Sequence, residues 1–138
     1  MVDGMQVNVN SKEVEWKKYP PGWYLTDVEY HTLWKNEETG AMLLLLKVPE
    51  GKVHELPHSH PDANQMIFIL SGEVVMENGV AVSYGEGNYG FSFRPKGEVH
   101  GPRVGSTQRV AKDSYMLQYF DGPPTKLNIG EMEELKLE

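Results

Sequence analysis

His58-Ser59-His60-Pro61-Asp62-Ala63-Asn64-Gln65, closed by Gly72 and answered further along by Pro95-Lys96-Gly97-Glu98-Val99-His100, is the stretch whose reading decides the fold. Two histidines at i and i+2 share a direction only on an extended strand, where side chains alternate; on a helix they diverge by about 200°. The pair therefore implies strand and ligand together. His100, just past a Pro-x-Gly turn, is a third imidazole that a later strand can bring beside the first two. An HxH pair alone arises easily by chance, and the accompanying glutamine, glycines and third histidine give it weight.

With His58 and His60 facing inward, Gln65 follows at an odd offset and would face outward on an unbroken strand. Pro61 to Asn64 is therefore expected to bend or bulge the chain. Gln65, Ile67 and Ile69 then line the interior, while Met66, Phe68 and Leu70 pack on the opposite face.

Working outward, 14 glycines and 9 prolines punctuate short β-rich runs, the pattern of an all-β sandwich or barrel. Strands are expected over 41–48, 65–70, 73–77, 80–84, 89–94 and 114–120, with Asn78-Gly79 as a hairpin turn. The chain of 138 residues is read as one domain. It divides into an N-terminal arm over 1–23, a barrel over 24–124 and a tail over 125–138, whose end, Glu131 to Glu138, is expected to form a short helix or to fray.

Composition excludes several chemistries. With no cysteine there is no thiolate nucleophile, Cys-ligated zinc or iron–sulfur cluster, so a metal must be held by nitrogen and oxygen. A net charge of −7 argues against a nucleic-acid partner, which requires a basic face. No apolar run approaches the ~18 residues of a membrane span, and the first ten residues do not read as a secretory leader, so the cytoplasm is the default compartment.

The candidate metal ligands are His58, His60, Gln65 and His100. Three imidazoles and an amide oxygen suit one borderline divalent transition metal per chain: iron(II), nickel, zinc or manganese, with cobalt and copper in the same class. Calcium and magnesium want more oxygens. Gln65 either donates its amide oxygen to the ion or hydrogen-bonds beside it. A neutral residue there would leave the ion its full +2 charge, receptive to an anionic oxygen of an enolate or carboxylate. Ile67, Ile69, Tyr89, Phe91 and Phe93 are candidate apolar lining, with Arg94 or Arg103 as anchor for an acidic group. His31 and His54 read as ordinary surface or loop residues. Glu55 is a candidate ligand or base, but reads first as solvated surface.

These residues carry a resemblance. Gly51, His58-Ser59-His60, Gln65 and Gly72 resemble the first motif of the cupin superfamily, and Gly87, Pro95-x-Gly97 and His100 the second. The resemblance covers about residues 40–120 and implies an all-β, single-domain jelly-roll barrel, commonly a homodimer, with a metal inside one end. Gln65 stands where the family has glutamate, an extra residue separates Gly51 from His58, and the stretch from Gly87 to Pro95 is longer than the common spacing. The lengthened second motif with His100-Gly101-Pro102 and Tyr119 to Pro123 is similar to the subgroup of acetylacetone-cleaving dioxygenases and the cupin half of zinc-dependent anti-sigma factors. Glutamine after HxHP resembles pectin-degradation cupins that act on unsaturated uronates.

The expectation is an enzyme acting on a small oxygenated molecule. With iron(II), the resemblance implies O2-dependent carbon–carbon cleavage of a diketone or hydroxyketone. With zinc or nickel, isomerisation, enolisation or hydrolysis fits better. A non-catalytic sensor or binding module, or a metal-stabilised barrel without activity, is the alternative. Pairing into a homodimer is expected to cover the exposed strand edges and a sheet face.

Overall fold

The computed structural model describes residues 6–52, 54–131 and 133–137. Residues 1–5 of the expected arm, and Met132 and Glu138 of the expected tail, lie outside them. In chain order the strands are β1 (Lys17–Lys18), β2 (Glu29–Lys35), β3 (Met42–Val48), β4 (Gly51–Lys52), β5 (His58–Ser59), β6 (Gln65–Val75), β7 (Ala81–Tyr84), β8 (Gly90–Arg94), β9 (Arg109–Phe120), β10 (Thr125–Asn128) and β11 (Leu135–Lys136). All pairings are antiparallel. Among the described residues there is no helix, hence none long and apolar enough to cross a membrane.

The larger sheet runs β1-β2-β3-β9-β6-β7, with β4 pairing β9 and β8 pairing β6; the smaller runs β11-β10-β5. This two-sheet, all-β architecture agrees with the class expected from the punctuation and fits the jelly roll that the resemblance implies. The strand β3 shows why it holds. Met42, Leu44, Leu46 and Val48 recur with period two, each at most 1% exposed, and meet Trp23, Val28, Tyr30, Val110 and Phe120 in one core. Full burial of a leucine side chain stabilises by roughly 1.5–3 kcal/mol, so this stripe anchors the fold around β9.

The long strands β6 and β9 join as one ladder in which Gln65 opposes Phe120, Ile67 opposes Gln118 and Ile69 opposes Met116. Opposed residues share a face, so Gln65, Ile67, Ile69, Met116 and Gln118 point to the same interior. The runs expected over 65–70 and 73–77 are a single strand through Gly72. At φ +124° a Cβ on Gly72 would lie 1.9 Å from Ser114 Oγ, so only glycine lets the two strands approach there.

The chain does break direction between His60 and Gln65. Strand β5 belongs to the smaller sheet and β6 to the larger, so 61–64 is a corner between sheets. Asp121 ties it down by accepting from the Asn64 backbone N–H and from Asn64 Nδ2, both at 2.8 Å, and Asn64 Oδ1 accepts from Lys96 N–H at 2.8 Å.

The tail differs from expectation. Its described part holds no helix: Leu135 and Lys136 pair as a strand with Lys126 and Thr125, and β10 pairs in turn with His58 and Ser59. The segment Thr125-Lys126-Leu127-Asn128, expected as tail, is the middle strand of the smaller sheet. The arm docks its aromatics: Tyr19 stacks on Trp23 at 5.6 Å between ring centroids, and Trp23 is 3% exposed.

Candidate metal centre

His58 and His100 face each other across a one-residue antiparallel bridge, His58 N–H donating to His100 C=O at 2.8 Å and His100 N–H to His58 C=O at 2.7 Å. Gly101 makes this approach possible, with φ +103° and the His58 ring 3.4 Å from where its Cβ would stand. His60 joins from the same strand segment two residues on. One ring nitrogen from each of the three lies within 4.8 Å of the others, so the trio can hold a metal ion.

Their outer nitrogens fix which atom faces inward. His58 Nδ1 lies 2.7 Å from Leu56 O, His60 Nδ1 2.7 Å from Thr125 O and His100 Nδ1 3.2 Å from Glu98 O. A carbonyl accepts only, so in each neutral ring Nδ1 carries the proton and Nε2 keeps its lone pair. Burial pushes His58 and His60 down to about 3, helped at His58 by the Lys126 ammonium, and also lowers His100. All three are therefore neutral at pH 7, the form a divalent ion requires.

Gln65 is 3% exposed and its Oε1 accepts no hydrogen bond among the described residues. A buried acceptor without a donor is costly, and a cation is one way to satisfy it. The donor set thus fits a borderline divalent metal: three neutral imidazole nitrogens and an orphan amide oxygen around a small chamber of about 30 Å³.

A larger chamber of about 460 Å³ opens from it through the barrel interior. Tyr24, Glu55, Ile67, Arg94, His100 and Gln118 belong to the walls of both. Ile67, Ile69, Val74, Met76 and Met116 make much of the larger wall apolar. Arg94 lies on the shared rim and its buried Nε has no acceptor among the described residues, so an orphan donor stands near the orphan acceptor of Gln65.

The aromatic lining needs correction. Phe91 and Phe93 are 61% and 48% exposed and face outward, as does Tyr89 at 64%. Within β8, Arg94 opposes Gln65 and Ser92 opposes Ile67, so those two point in and the phenylalanines between them point out. Adjacent strand residues cannot share a face, and Arg94 is the one that points in. Arg103 is exposed and pairs with Glu77 at 3.1 Å, away from the histidines.

Three further ionisable residues stand near the histidines or wall the larger chamber, and of these the sequence offers only Glu55 as a candidate ligand or base. Glu55 is not solvated surface: its side chain is only 22% exposed, with Oε2 3.8 Å from His58 Nε2, and with His58 neutral this approach is not an ion pair. Lys126 is 1% exposed, donates to Trp23 C=O, stands 4.6 Å from the Tyr24 ring centroid and 3.7 Å from Glu55. Burial lowers it to about 8, opposed by Glu55. His54 forms part of the larger wall and packs against Tyr24, its ring lowered by burial. Glu55 sits three residues before His58, a proximity in sequence that marks it as a candidate; Lys126 carries no such signal.

A jelly roll with a histidine trio that could hold a metal ion is the arrangement of a cupin. The chain belongs to the family described as the ChrR Cupin-like domain, which matches residues 5–113. Solved structures of similar fold include an acetylacetone dioxygenase from Acinetobacter johnsonii, 16% identical, with a TM-score of 0.64 over 99% of this chain and 87% of that one. The polyketide cyclase RemF from Streptomyces resistomycificus is 18% identical, with a TM-score of 0.59 over 94% and 89%. A sugar phosphate isomerase of the cupin superfamily from Silicibacter pomeroyi DSS-3 is 13% identical, with a TM-score of 0.55 over 94% and 92%. No curated protein matches the sequence significantly. Three different activities on one fold place the reaction in the site's own chemistry.

Proposed function

We propose that the protein is a mononuclear metal-dependent cupin enzyme acting on a small oxygenated substrate, most consistent with a dioxygenase that cleaves a diketone or hydroxyketone. The observation that carries this reading is the convergence of three Nε2 lone pairs of neutral imidazoles beside a chamber that is largely apolar. The proposed ligands are His58, His60, His100 and Gln65. When bound, a divalent ion supplies Lewis acidity toward a chelated dicarbonyl and, as iron(II), electrons for dioxygen. Arg94 offers its unpartnered Nε–H to an anionic oxygen of the substrate. Ile67, Ile69 and Met116 hold the carbon skeleton and exclude water. The acetylacetone dioxygenase of similar fold motivates the substrate class.

The test is oxygen uptake by iron(II)-loaded protein offered diketones and hydroxyketones under air. One O2 consumed per substrate cleaved, absent in His100→Ala, is the expected result. Turnover with zinc or nickel but no oxygen uptake would replace this reading with an isomerase or hydrolase, and ligand binding without turnover would replace it with a sensor.

The same reading includes a homodimer. Phe68, Phe91 and Phe93 form an outward apolar face on β6 and β8, with the Phe68 and Phe91 rings 5.0 Å apart, and a second copy of this chain is the proposed cover.

A further inference from the structure

An amide at position 65 and three imidazoles, which ligate a metal as uncharged rings, bring no negative charge to a divalent ion. Around it the small chamber instead collects two cationic side chains, Arg94 and the buried Lys126. A +2 ion placed among them alone would be repelled from both. Among the described residues that wall the small chamber, Glu55 is the only acid. Its Oε2 lies 3.8 Å from His58 Nε2 and 3.7 Å from Lys126 Nζ, so one carboxylate oxygen stands between a ligand nitrogen and a buried ammonium.

The 3.8 Å separation has a chemical meaning. Two donors each about 2.1 Å from one ion lie about 3.0 Å apart at right angles and about 4.2 Å apart when opposite. The Glu55–His58 distance falls inside that range.

We propose that Glu55 is the carboxylate donor of the histidine centre: the anionic ligand missing at position 65 is supplied from three residues before His58. Lys126 is its counter-ion in the metal-free chain. The proposal rests on the metal-centre reading of His58, His60 and His100. It also specifies the metal class, because a carboxylate added to imidazoles favours iron(II) or manganese(II), which take oxygen donors readily.

The experiment titrates metal-free protein with cobalt(II), reading affinity by competition with a chelator and coordination by the visible absorption spectrum. Wild type, Glu55→Gln, Glu55→Asp and His58→Ala are compared. Glu55→Gln keeps the shape and removes the charge; a loss of about 10- to 100-fold in affinity with a changed spectrum is expected. Glu55→Asp keeps the charge but shortens its reach, so a spectrum unlike that of wild type is expected there too. A wild-type spectrum in Glu55→Asp would assign Glu55 to charge balance alone and overturn the proposal, as would wild-type affinity in Glu55→Gln. His58→Ala separates the two levels: if it abolishes binding while Glu55→Gln does not, only the Glu55 assignment fails. If His58→Ala binds as wild type does, the metal centre itself fails.

Discussion

At His60 a single backbone carbonyl decides what the ring can do. Thr125 O accepts from His60 Nδ1–H at 2.7 Å, leaving Nε2 with its lone pair beside His58 and His100. Neighbouring charge matters as much as tautomer here. Lys126, 1% exposed and beside Glu55, repels any cation that enters. Lys126→Met is therefore expected to tighten metal binding by about tenfold, a small part of what a unit charge exerts at short range in a protein interior. Chelator competition checks this, and weaker binding in the variant would count against the electrostatic account. The histidines themselves set a pH dependence. Their folded values lie below the ordinary 6.5, so on acidification the unfolded chain takes up protons that the folded one refuses. The metal-free protein is then expected to be most stable above pH 6.5 and to lose stability as pH falls from 6.5 toward about 3. Denaturant midpoints measured across that range test it, and a flat profile would contradict it. Residue chemistry was the most legible level: the HxH spacing and His100 were read from sequence and are brought together. Lys126 was not, since nothing in Pro-Pro-Thr-Lys-Leu-Asn marks a lysine for burial; its place depends on Trp23, Tyr24 and Glu55, distant in the chain.

At the scale of elements, period-two alternation explains both what was readable and what was not. In β3 it puts Leu46 in the core at 0% exposure and turns Leu43 to the other face, where it is half-buried. Leu46→Ala is expected to cost about 2–5 kcal/mol and Leu43→Ala less than half as much, by chemical denaturation. Equal costs would mean the parity is wrong. Apolar character alone misplaces Phe91 and Phe93, which the same alternation puts on the face opposite Arg94 and Ser92. The ladder that pairs Arg94 with Gln65 is a long-range fact, and it alone assigns the faces of β8. Strands β2 and β10 escaped notice for a related reason: Glu29–Lys35 and Thr125–Asn128 are mixed in character, and pairing with β3 and β5 makes them strands. The bend between His60 and Gln65 was legible from Pro61 and Asn64, although it is a corner between sheets and not a bulge within one.

For the whole molecule, the jelly roll places the histidines where β5, β10 and the larger sheet meet, with the 460 Å³ chamber reaching away from them into the barrel. The outer face of β6 and β8 is left with Phe68, Phe91 and Phe93 in solvent. If a second copy covers it, Phe91→Glu will shift the protein from dimer to monomer in sedimentation analysis without altering metal content; a wild-type monomer would remove the homodimer from the account. The metal centre is the central claim, and metal content tests it most directly. Elemental analysis of protein purified without oxygen should find close to one divalent transition metal per chain in the wild type and almost none in His58→Ala. A wild-type chain that carries no such metal, and takes up neither iron(II), manganese, nickel nor zinc on titration, would contradict the account and leave a barrel whose histidines serve the fold alone.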